Sequence, residues 1–326
     1  MAVTMDDVAK KAGVARATVS YILNKNLKSL SMKPETRARV LKVANDLNFQ
    51  PSFLGRSLAS GQTFTIGLLS GGIDNPHFSE LSRLIYQEAQ KQNYKLLISF
   101  TEYNKDKELS MLHSLMSRQI DGLILLTSPF ESNSELHNML LEKHFPIVMG
   151  SSVGKLSGVD SEWGIGFMET FKYLIEKGYK KIAYFEEVLC SSFSPKKQAY
   201  LECCQKHNLQ EILFECRLGH AAEFGEKISE FGDCPKVVIA ASDYTATGFI
   251  RGLYNKGLKV PDDIAVVGID GTDNGKNFIP RLTTIASNRE HMASEMVNMV
   301  IKMISDKKTM PKKVFLPTNL LIGESA

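Results

Sequence analysis

The chain opens with the stretch Met5-Asp-Asp-Val-Ala-Lys-Lys-Ala-Gly13-Val-Ala-Arg-Ala-Thr-Val-Ser-Tyr-Ile-Leu-Asn24. Apolar residues recur three and four positions apart on both sides of Gly13, and this spacing predicts two short amphipathic helices. Glycine readily adopts the left-handed conformation that ends a helix and turns the chain. A third helix is expected from Pro34, which suits a first helical turn. Two helices joined by such a turn can present the second helix to a DNA major groove.

Charge separates this N-terminal segment from the rest of the chain. Residues 1–60 contain ten Lys and Arg against four Asp and Glu, a net charge of +6, whereas the whole 326-residue chain carries +3. A cationic segment favours binding to nucleic-acid phosphates, because bound Lys and Arg release condensed counterions. The simpler interpretation, a solvated helix pair that binds nothing, explains this asymmetry less well.

From residue 63 onward, short apolar runs alternate with amphipathic stretches. Runs such as Phe64–Leu69, Gly122–Leu126 and Val237–Ala240 are continuously apolar, which is typical of strands buried on both faces of a parallel sheet. The repeated strand–helix rhythm predicts open parallel sheets. About 260 residues are more than one such sheet usually needs, so we expect two sub-domains.

Signals for catalysis, metal binding and membrane insertion are missing from the sequence. It contains neither H-E-x-x-H nor G-x-S-x-G, and the phosphate-loop-like segment 271–277 is one residue short, so we expect a surface loop there. The five Cys are odd in number and lack C-x-x-C spacing. Neither an 18-residue apolar span nor a secretory signal appears. We therefore expect a cytoplasmic protein that is not an enzyme and needs no cofactor, metal or membrane.

The N-terminal stretch resembles the DNA-binding headpiece of the LacI/GalR (lactose-repressor/galactose-repressor) family of bacterial transcription regulators. The family pattern is roughly D-V-A-x-x-A-G-V-S-x-x-T-V-S-x-x-L-N. The segments that match it are Asp7-Val-Ala, Ala12-Gly-Val, Thr18-Val-Ser20 and Leu23-Asn24. The segments that match the family's third helix and the start of its hinge are Pro34-Glu-Thr-Arg37 and Leu47-Asn-Phe-Gln-Pro51. The similarity continues through the whole chain.

The resemblance implies a fold class and a domain organisation. An all-α helix-turn-helix headpiece at residues 1–49 and a hinge helix at 50–62 would precede a two-lobed α/β core at 63–326. That core, with parallel sheets, would be similar to a periplasmic binding protein. Its first lobe would comprise about residues 63–160 and 288–316, and its second about 161–287 and 317–326.

The resemblance also implies which residues contact DNA. The expected base-reading residues are Arg16, Ala17 and Tyr21. The residues expected to contact phosphates or brace the helix are Thr4, Thr18, Ser20 and Asn24. The expected hinge contacts are Ser52, Gly55, Arg56 and Leu58, the last as a wedge in the minor groove. Tyr21 stands where Arg is common, and a tyrosine cannot form the bidentate hydrogen bonds that Arg forms with guanine. We therefore expect an operator unlike the commonest one of the family.

Polar groups follow several predicted strands, where open α/β sheets bind their ligands. By resemblance, the expected effector-binding residues are His77, Phe78, Ser192, Lys196, Asp243 and Asp270. Cys190 stands where a purine-binding branch of the family has Arg, which argues against a purine. A sugar or sugar-like polyol is the expected effector.

The function implied is that of a sequence-specific DNA-binding transcriptional regulator, most simply a repressor, that binds a pseudo-palindromic operator as a homodimer. A small-molecule effector would control it allosterically. The sequence ends at Glu324-Ser-Ala326 without the leucine heptads of tetrameric members, so we expect a dimer. The alternative is a solute-binding receptor or sugar-handling protein on the same α/β core, without DNA regulation. An architectural DNA binder without an effector is a further alternative.

Overall fold

The computed structural model describes residues 3–23, 32–49, 61–126, 145–151, 155–188, 194–230 and 234–326. The chain divides into two compact units, Met1–Phe64 and Thr65–Ala326. Residues 133–142, an amphipathic stretch for which the sequence predicts a helix, lie outside the described residues.

The first unit contains three helices, α1 (Met5–Ala12), α2 (Arg16–Leu23) and α3 (Pro34–Asp46). Thr4 and Asp7 form a reciprocal capping box at the start of α1, which satisfies two otherwise unpaired backbone N–H groups. The predicted turn occurs at Gly13, whose φ of 62° is left-handed.

One small apolar core holds these three helices together. Its buried members are Val8, Ala9, Ala12, Val19, Ile22, Val40 and Ala44. Val8, Val19 and Val40, one from each helix, are fully buried, so the faces that carry them cannot also contact DNA. The spacing of apolar residues therefore determines which face of α2 stays outside.

The second unit alternates strands and helices. In chain order, its elements are β1 (Thr65–Ser70), α4 (Pro76–Lys91), β2 (Lys95–Phe100), α5 (Lys105–Ser117), β3 (Gly122–Leu126), β4 (Ile147–Met149), β5 (Ser157–Glu162), α6 (Trp163–Glu176), β6 (Ile182–Val188), α7 (Pro195–His207), β7 (Leu213–Arg217), α8 (Ala221–Lys227), β8 (Val237–Ala240), α9 (Asp243–Asn255), β9 (Ala265–Asp270), α10 (Asp273–Asn277), β10 (Thr283–Ala286), α11 (Arg289–Ser305), β11 (Lys313–Pro317) and β12 (Asn319–Leu321).

These strands form two six-stranded sheets, one in each lobe. The first has the order β11-β5-β4-β3-β1-β2 and the second β12-β10-β9-β8-β6-β7. The first sheet is parallel throughout. The second is parallel except for β12, which runs antiparallel to β10. The chain crosses from the first lobe to the second after β5, returns through α11, and crosses again between β11 and β12.

Several elements differ from the sequence-based expectations. Strands β5, β7, β10 and β11 were not expected, because they are short or carry polar residues and so lack a continuous apolar run. The segment 271–277 was expected to be a surface loop, and that prediction is wrong. It contains α10, which begins there because the Thr272 side chain accepts a hydrogen bond from the N–H of Gly275.

The second lobe is built around buried aromatic rings. Phe167, Phe171, Tyr184 and Tyr200 are each fully buried, and the rings of Tyr184 and Tyr200 stack with centroids 5.4 Å apart. The Tyr200 hydroxyl accepts a hydrogen bond from the N–H of Ile212 (2.8 Å) and donates to the Ile182 carbonyl (2.9 Å). This phenol therefore joins β6 to the segment that leads into β7.

We expect Tyr200→Phe to lower the free energy of unfolding by about 1–3 kcal/mol, because the Ile212 N–H loses its partner in a water-poor environment. Urea unfolding followed by circular dichroism would measure this change. Tyr254→Phe, at a tyrosine that is 43% exposed, is the matched control and should change stability little. Equal effects of the two substitutions would contradict this role for the Tyr200 hydroxyl.

Candidate nucleic-acid and effector sites

The outer face of α2 is the candidate DNA-reading surface. Arg16 and Ala17 are exposed there, and Thr18, Ser20 and Tyr21 are partly buried. The Arg16 side chain is 69% exposed, and its Nε lies 3.6 Å from Oδ1 of Asp6. An ion pair this exposed contributes little to stability, so Arg16 can exchange Asp6 for a base edge or a phosphate at small cost.

Thr4 is exposed at the start of α1, and its hydroxyl also donates to Asp7 Oδ2 at 2.7 Å. The same residue therefore both caps its helix and stands at the protein surface. The other residues with predicted DNA contacts lie outside the described residues: Asn24, Ser52, Gly55, Arg56 and Leu58.

A cavity of about 180 Å³ lies between the two lobes of the second unit. The first lobe lines it with Gly71, Asn75, Phe78 and Tyr103. The second lobe lines it with Glu187, Leu218, Ala241, Ser242, Tyr244 and Thr245. These residues lie on loops and helix starts that follow strands of both sheets, which is where ligands bind in folds of this type. This cavity is the candidate effector site.

Next to the cavity, Lys196 and Asp270 form an ion pair. Lys196 Nζ donates to Asp270 Oδ1 (2.9 Å) and to the carbonyl of Ala241 (2.9 Å). It also lies 4.7 Å from the ring centroid of Trp163. The Asp270 side chain is only 4% exposed, and a carboxylate so buried requires a nearby cation.

His77 of the first lobe lies close to the carboxylate of Asp270. It lies in the first turn of α4, where the Asn75 side chain accepts a hydrogen bond from its backbone N–H. Its Nδ1 is 3.6 Å from Asp270 Oδ1, too far for a hydrogen bond. Burial lowers the pKa of His77 to about 4, although the charge of Asp270 acts in the opposite direction. The imidazole is therefore neutral at physiological pH.

Arg289 connects the end of β9 to the first lobe. Its side chain is 10% exposed, and its guanidinium donates to the carbonyls of Asp270 and Gly271. The Arg289 Nη2 atom also lies 2.8 Å from Oε2 of Glu80 on α4. Oε1 of Glu80 accepts a hydrogen bond of 3.0 Å from the N–H of Asp273 at the start of α10. Glu80 thus contacts both Arg289 at the start of α11 and the segment that follows β9.

Asp243 lies below this surface and is fully buried. Its Oδ2 accepts from the N–H (2.6 Å) and hydroxyl (2.8 Å) of Thr272, and its Oδ1 accepts from the hydroxyl of Thr284 (2.6 Å). Burial and the nearby charge of Asp270 raise the pKa of Asp243 to about 6, and the donated hydrogen bonds oppose that rise. In this conformation Asp243 positions the 270–273 segment. Its contact with an effector stays a prediction.

The structure therefore brings three of the predicted effector residues together, namely His77, Lys196 and Asp270. Phe78 lines the cavity itself. Ser192 lies outside the described residues. The other cavity residues were not predicted individually, among them Tyr103, Glu187 and Tyr244. Each follows or ends a strand, so the strand-end rule could have found them had the strand limits been known.

Over the described ranges, no helix combines the length and the apolar composition needed to cross a bilayer. In the same part of the chain, no group of three or more His, Cys, Asp and Glu is arranged to hold a metal ion.

A helix-turn-helix unit followed in sequence by a two-lobed α/β core with an interlobe cavity defines a ligand-responsive DNA-binding regulator. Comparison with known families agrees. Residues 4–52 match the family model of bacterial regulatory proteins, lacI family, and residues 171–326 match that of the periplasmic binding protein-like domain. The chain belongs to the LacI family.

Full-length relatives support this assignment. The chain is 30% identical over 336 residues to the HTH-type transcriptional repressor PurR of Histophilus somni, covering 99% of this chain and 98% of the relative. It is 27% identical over 336 residues to catabolite control protein A of Priestia megaterium, covering 100% and 99%. These relatives are transcription regulators. The predicted family and the predicted function as a DNA-binding, effector-controlled regulator are confirmed.

The fold is that of a solved relative. The Lac repressor dimer bound to operator and the anti-inducer ONPF superposes with a TM-score of 0.86 at 22% identity, covering 100% of this chain and 99% of that chain. The predicted fold class, a helix-turn-helix headpiece and a two-lobed α/β core with parallel sheets, is confirmed.

The partly buried His77, whose side chain is 18% exposed, predicts a pH dependence of stability. Its folded pKa of about 4 lies below the ordinary value of 6.5, so its contribution is fully present above about pH 6.5 and is lost as the pH falls toward 4. Between about pH 7 and pH 5, the wild type should lose about 1–2 kcal/mol more unfolding free energy than His77→Gln.

Urea unfolding at each pH would measure the difference. His113→Gln, at an exposed histidine of α5, should keep the pH dependence of the wild type. If the unfolding free energies of the wild type and His77→Gln changed in parallel with pH, His77 would not be the source of this pH dependence.

Proposed function

We propose that this protein is a repressor of the bacterial cytoplasm. It binds a two-fold-symmetric operator as a homodimer, and a small sugar-like effector in the interlobe cavity changes its operator affinity. The proposal rests on one observation above all, the exposed polar and basic face of α2 on a packed three-helix unit. The dimer is proposed by analogy with the operator-bound Lac repressor dimer. The regulators among its relatives support a role without catalysis.

We further propose which side chains contact DNA. Arg16, Ala17 and Tyr21 read base edges, because they begin and line the exposed part of α2. Thr4, Thr18 and Ser20 hold phosphates, which sets the register of the helix without specifying sequence. Contacts by Asn24 and by the hinge residues Ser52, Gly55, Arg56 and Leu58 remain predictions, because these residues lie outside the described ranges.

The effector proposal draws on the same strand-end residues. Phe78 would pack on the effector, and Asp270, Lys196 and His77 would adjust their mutual contacts as it binds. Because Glu80 and Arg289 join the two lobes, an effector that changes the interlobe angle must alter their contacts as well. Effector and operator affinities then change reciprocally, since both depend on one conformational equilibrium.

The proposed domain boundaries separate the DNA-binding part of the chain from the effector-binding part. We propose the headpiece at residues 1–49, the hinge at 50–62 and the core at 63–326. Membership of β11 in the first sheet and of β12 in the second supports the proposed lobes, in which residues 288–316 belong with 63–160 and residues 317–326 with 161–287.

Selection of double-stranded oligonucleotides from a random pool by the full-length protein tests the function. The enriched sequences should be pseudo-palindromic, and their affinity should fall steeply as salt rises, because phosphate contacts release counterions. Fluorescence anisotropy with labelled duplexes measures both properties. Weak attachment that shows neither symmetry nor salt dependence would rule out this function.

Arg16→Ala should reduce the discrimination between the selected operator and random DNA by about 1–3 kcal/mol, because a base contact is lost. Arg39→Ala is the matched control, since it removes the same charge from an exposed position on α3. We expect the control to weaken both DNAs about equally. An equal loss on both DNAs for Arg16→Ala would assign Arg16 to phosphate contact instead.

A further inference from the structure

Aromatic rings from both lobes face the interlobe cavity. Phe78 and Tyr103 belong to the first lobe and have ring centroids 6.2 Å apart, whereas Tyr244 belongs to the second lobe. The Tyr103 ring lies against the Gly71–Gly72 backbone, where a Cβ added at Gly71 would be 2.5 Å from its Cε1 atom. A side chain at Gly71 would collide with this ring unless the ring shifted, so the glycine makes room for Tyr103 in the wall of the cavity.

The charged group among the lining residues is a carboxylate. Glu187 ends near the cavity with Oε1 accepting from the N–H of Gly219 (2.9 Å) and Oε2 accepting from the hydroxyl of Thr245 (2.9 Å). Two neutral donors fix its position without neutralising its charge. Each oxygen of an ionised carboxylate can accept a further hydrogen bond.

Asp74 is a second carboxylate that adds to the negative potential around the cavity tyrosines. Burial, followed by the charges of Asp74, Tyr244 and Glu187, raises the pKa of Tyr103. Burial and the same two carboxylates raise the pKa of Tyr244. The tyrosine hydroxyls of the cavity therefore remain neutral, and Asp74 and Glu187 both act on the space around them.

The nearby cations do not balance these carboxylates. Lys196 is engaged by Asp270, a backbone carbonyl and the ring of Trp163. Arg289 is engaged by Glu80 and two backbone carbonyls. Neither side chain lines the cavity, and the lining within the described ranges includes no Lys or Arg.

We propose that the effector of this protein carries a cationic amino group on a small hydroxylated frame, as an amino sugar does. A cation is attracted to the faces of aromatic rings and, more strongly, to a carboxylate in a partly desolvated site. The cavity of about 180 Å³ is smaller than the roughly 300–1,000 Å³ of sites for drug-sized ligands, so the frame is small. An anionic ligand would be repelled by Glu187. This inference rests on the proposed function only in taking the cavity as the effector site.

Matched pairs of sugars test the inference in the full-length protein without DNA. The pairs are D-glucosamine with D-glucose, D-galactosamine with D-galactose, and D-mannosamine with D-mannose. Trp163, the one tryptophan of the chain, contacts Lys196 beside the cavity, so its fluorescence can report binding. Calorimetry provides an independent dissociation constant. In at least one pair, the amino sugar should bind about tenfold tighter than its neutral partner.

Glu187→Gln should abolish that preference, because it removes the charge while an amide can still bond to Gly219 and Thr245. Glu223→Gln is the control, at an exposed carboxylate of the same lobe, and should retain the preference. Asp74→Asn, at an exposed position, should weaken it and provides a second test if Glu187→Gln does not fold.

Equal binding within every pair, a preference that survives Glu187→Gln, or a panel in which no amino sugar binds would each overturn the cationic effector. Operator affinity measured on the same preparations reports separately on DNA binding. Neutral sugars that bind and shift operator affinity would leave the proposed function intact while removing this inference.

Discussion

The buried carboxylate of Asp270 is the constraint on which the interlobe region depends. A charge that is 4% exposed needs compensation, and Lys196 from the second lobe supplies it. The backbone of Asp270 has a φ of 112°, a conformation that is costly for a residue with a side chain. The guanidinium of Arg289 donates to the consecutive carbonyls of Asp270 and Gly271. Side-chain charge and backbone geometry therefore fix the end of β9 together.

Much of the fold could be predicted because its physical signals are local. The apolar spacing around Gly13 and the capping residues define the headpiece helices, and continuous apolar runs such as Gly122–Leu126 define central strands that are buried on both faces. Strands without such a run were missed for the same reason. Ser157–Glu162 lies inside its sheet but carries polar residues, and the edge strand Leu213–Arg217 alternates exposed and partly buried residues. Backbone pairing with a neighbour, which no local pattern records, determines their conformation.

The candidate effector site was predictable only in part. Residues directly after apolar runs, such as Asp270, were found because strand ends mark ligand sites. Glu187 was missed because the apolar run stops at Phe185, whereas β6 continues through two glutamates to Val188. The burial of Asp243, the first residue of α9, also could not be read from the local sequence. It depends on Thr272 and Thr284, which reach its carboxylate from segments distant in sequence.

The contact of Glu80 with the second lobe has a consequence for how the lobes can separate. If they move apart, the Arg289 guanidinium leaves the carbonyls of Asp270 and Gly271, and the first amide of α10 loses the Glu80 carboxylate in the same event. At intermediate separations both donors are too far from these acceptors to bond, and a donor as enclosed as the Arg289 side chain, which is 10% exposed, is costly to leave unpaired. Such paired contacts favour two discrete interlobe arrangements over a continuous range. The regulator should therefore change between two conformations and not adjust its interlobe angle gradually.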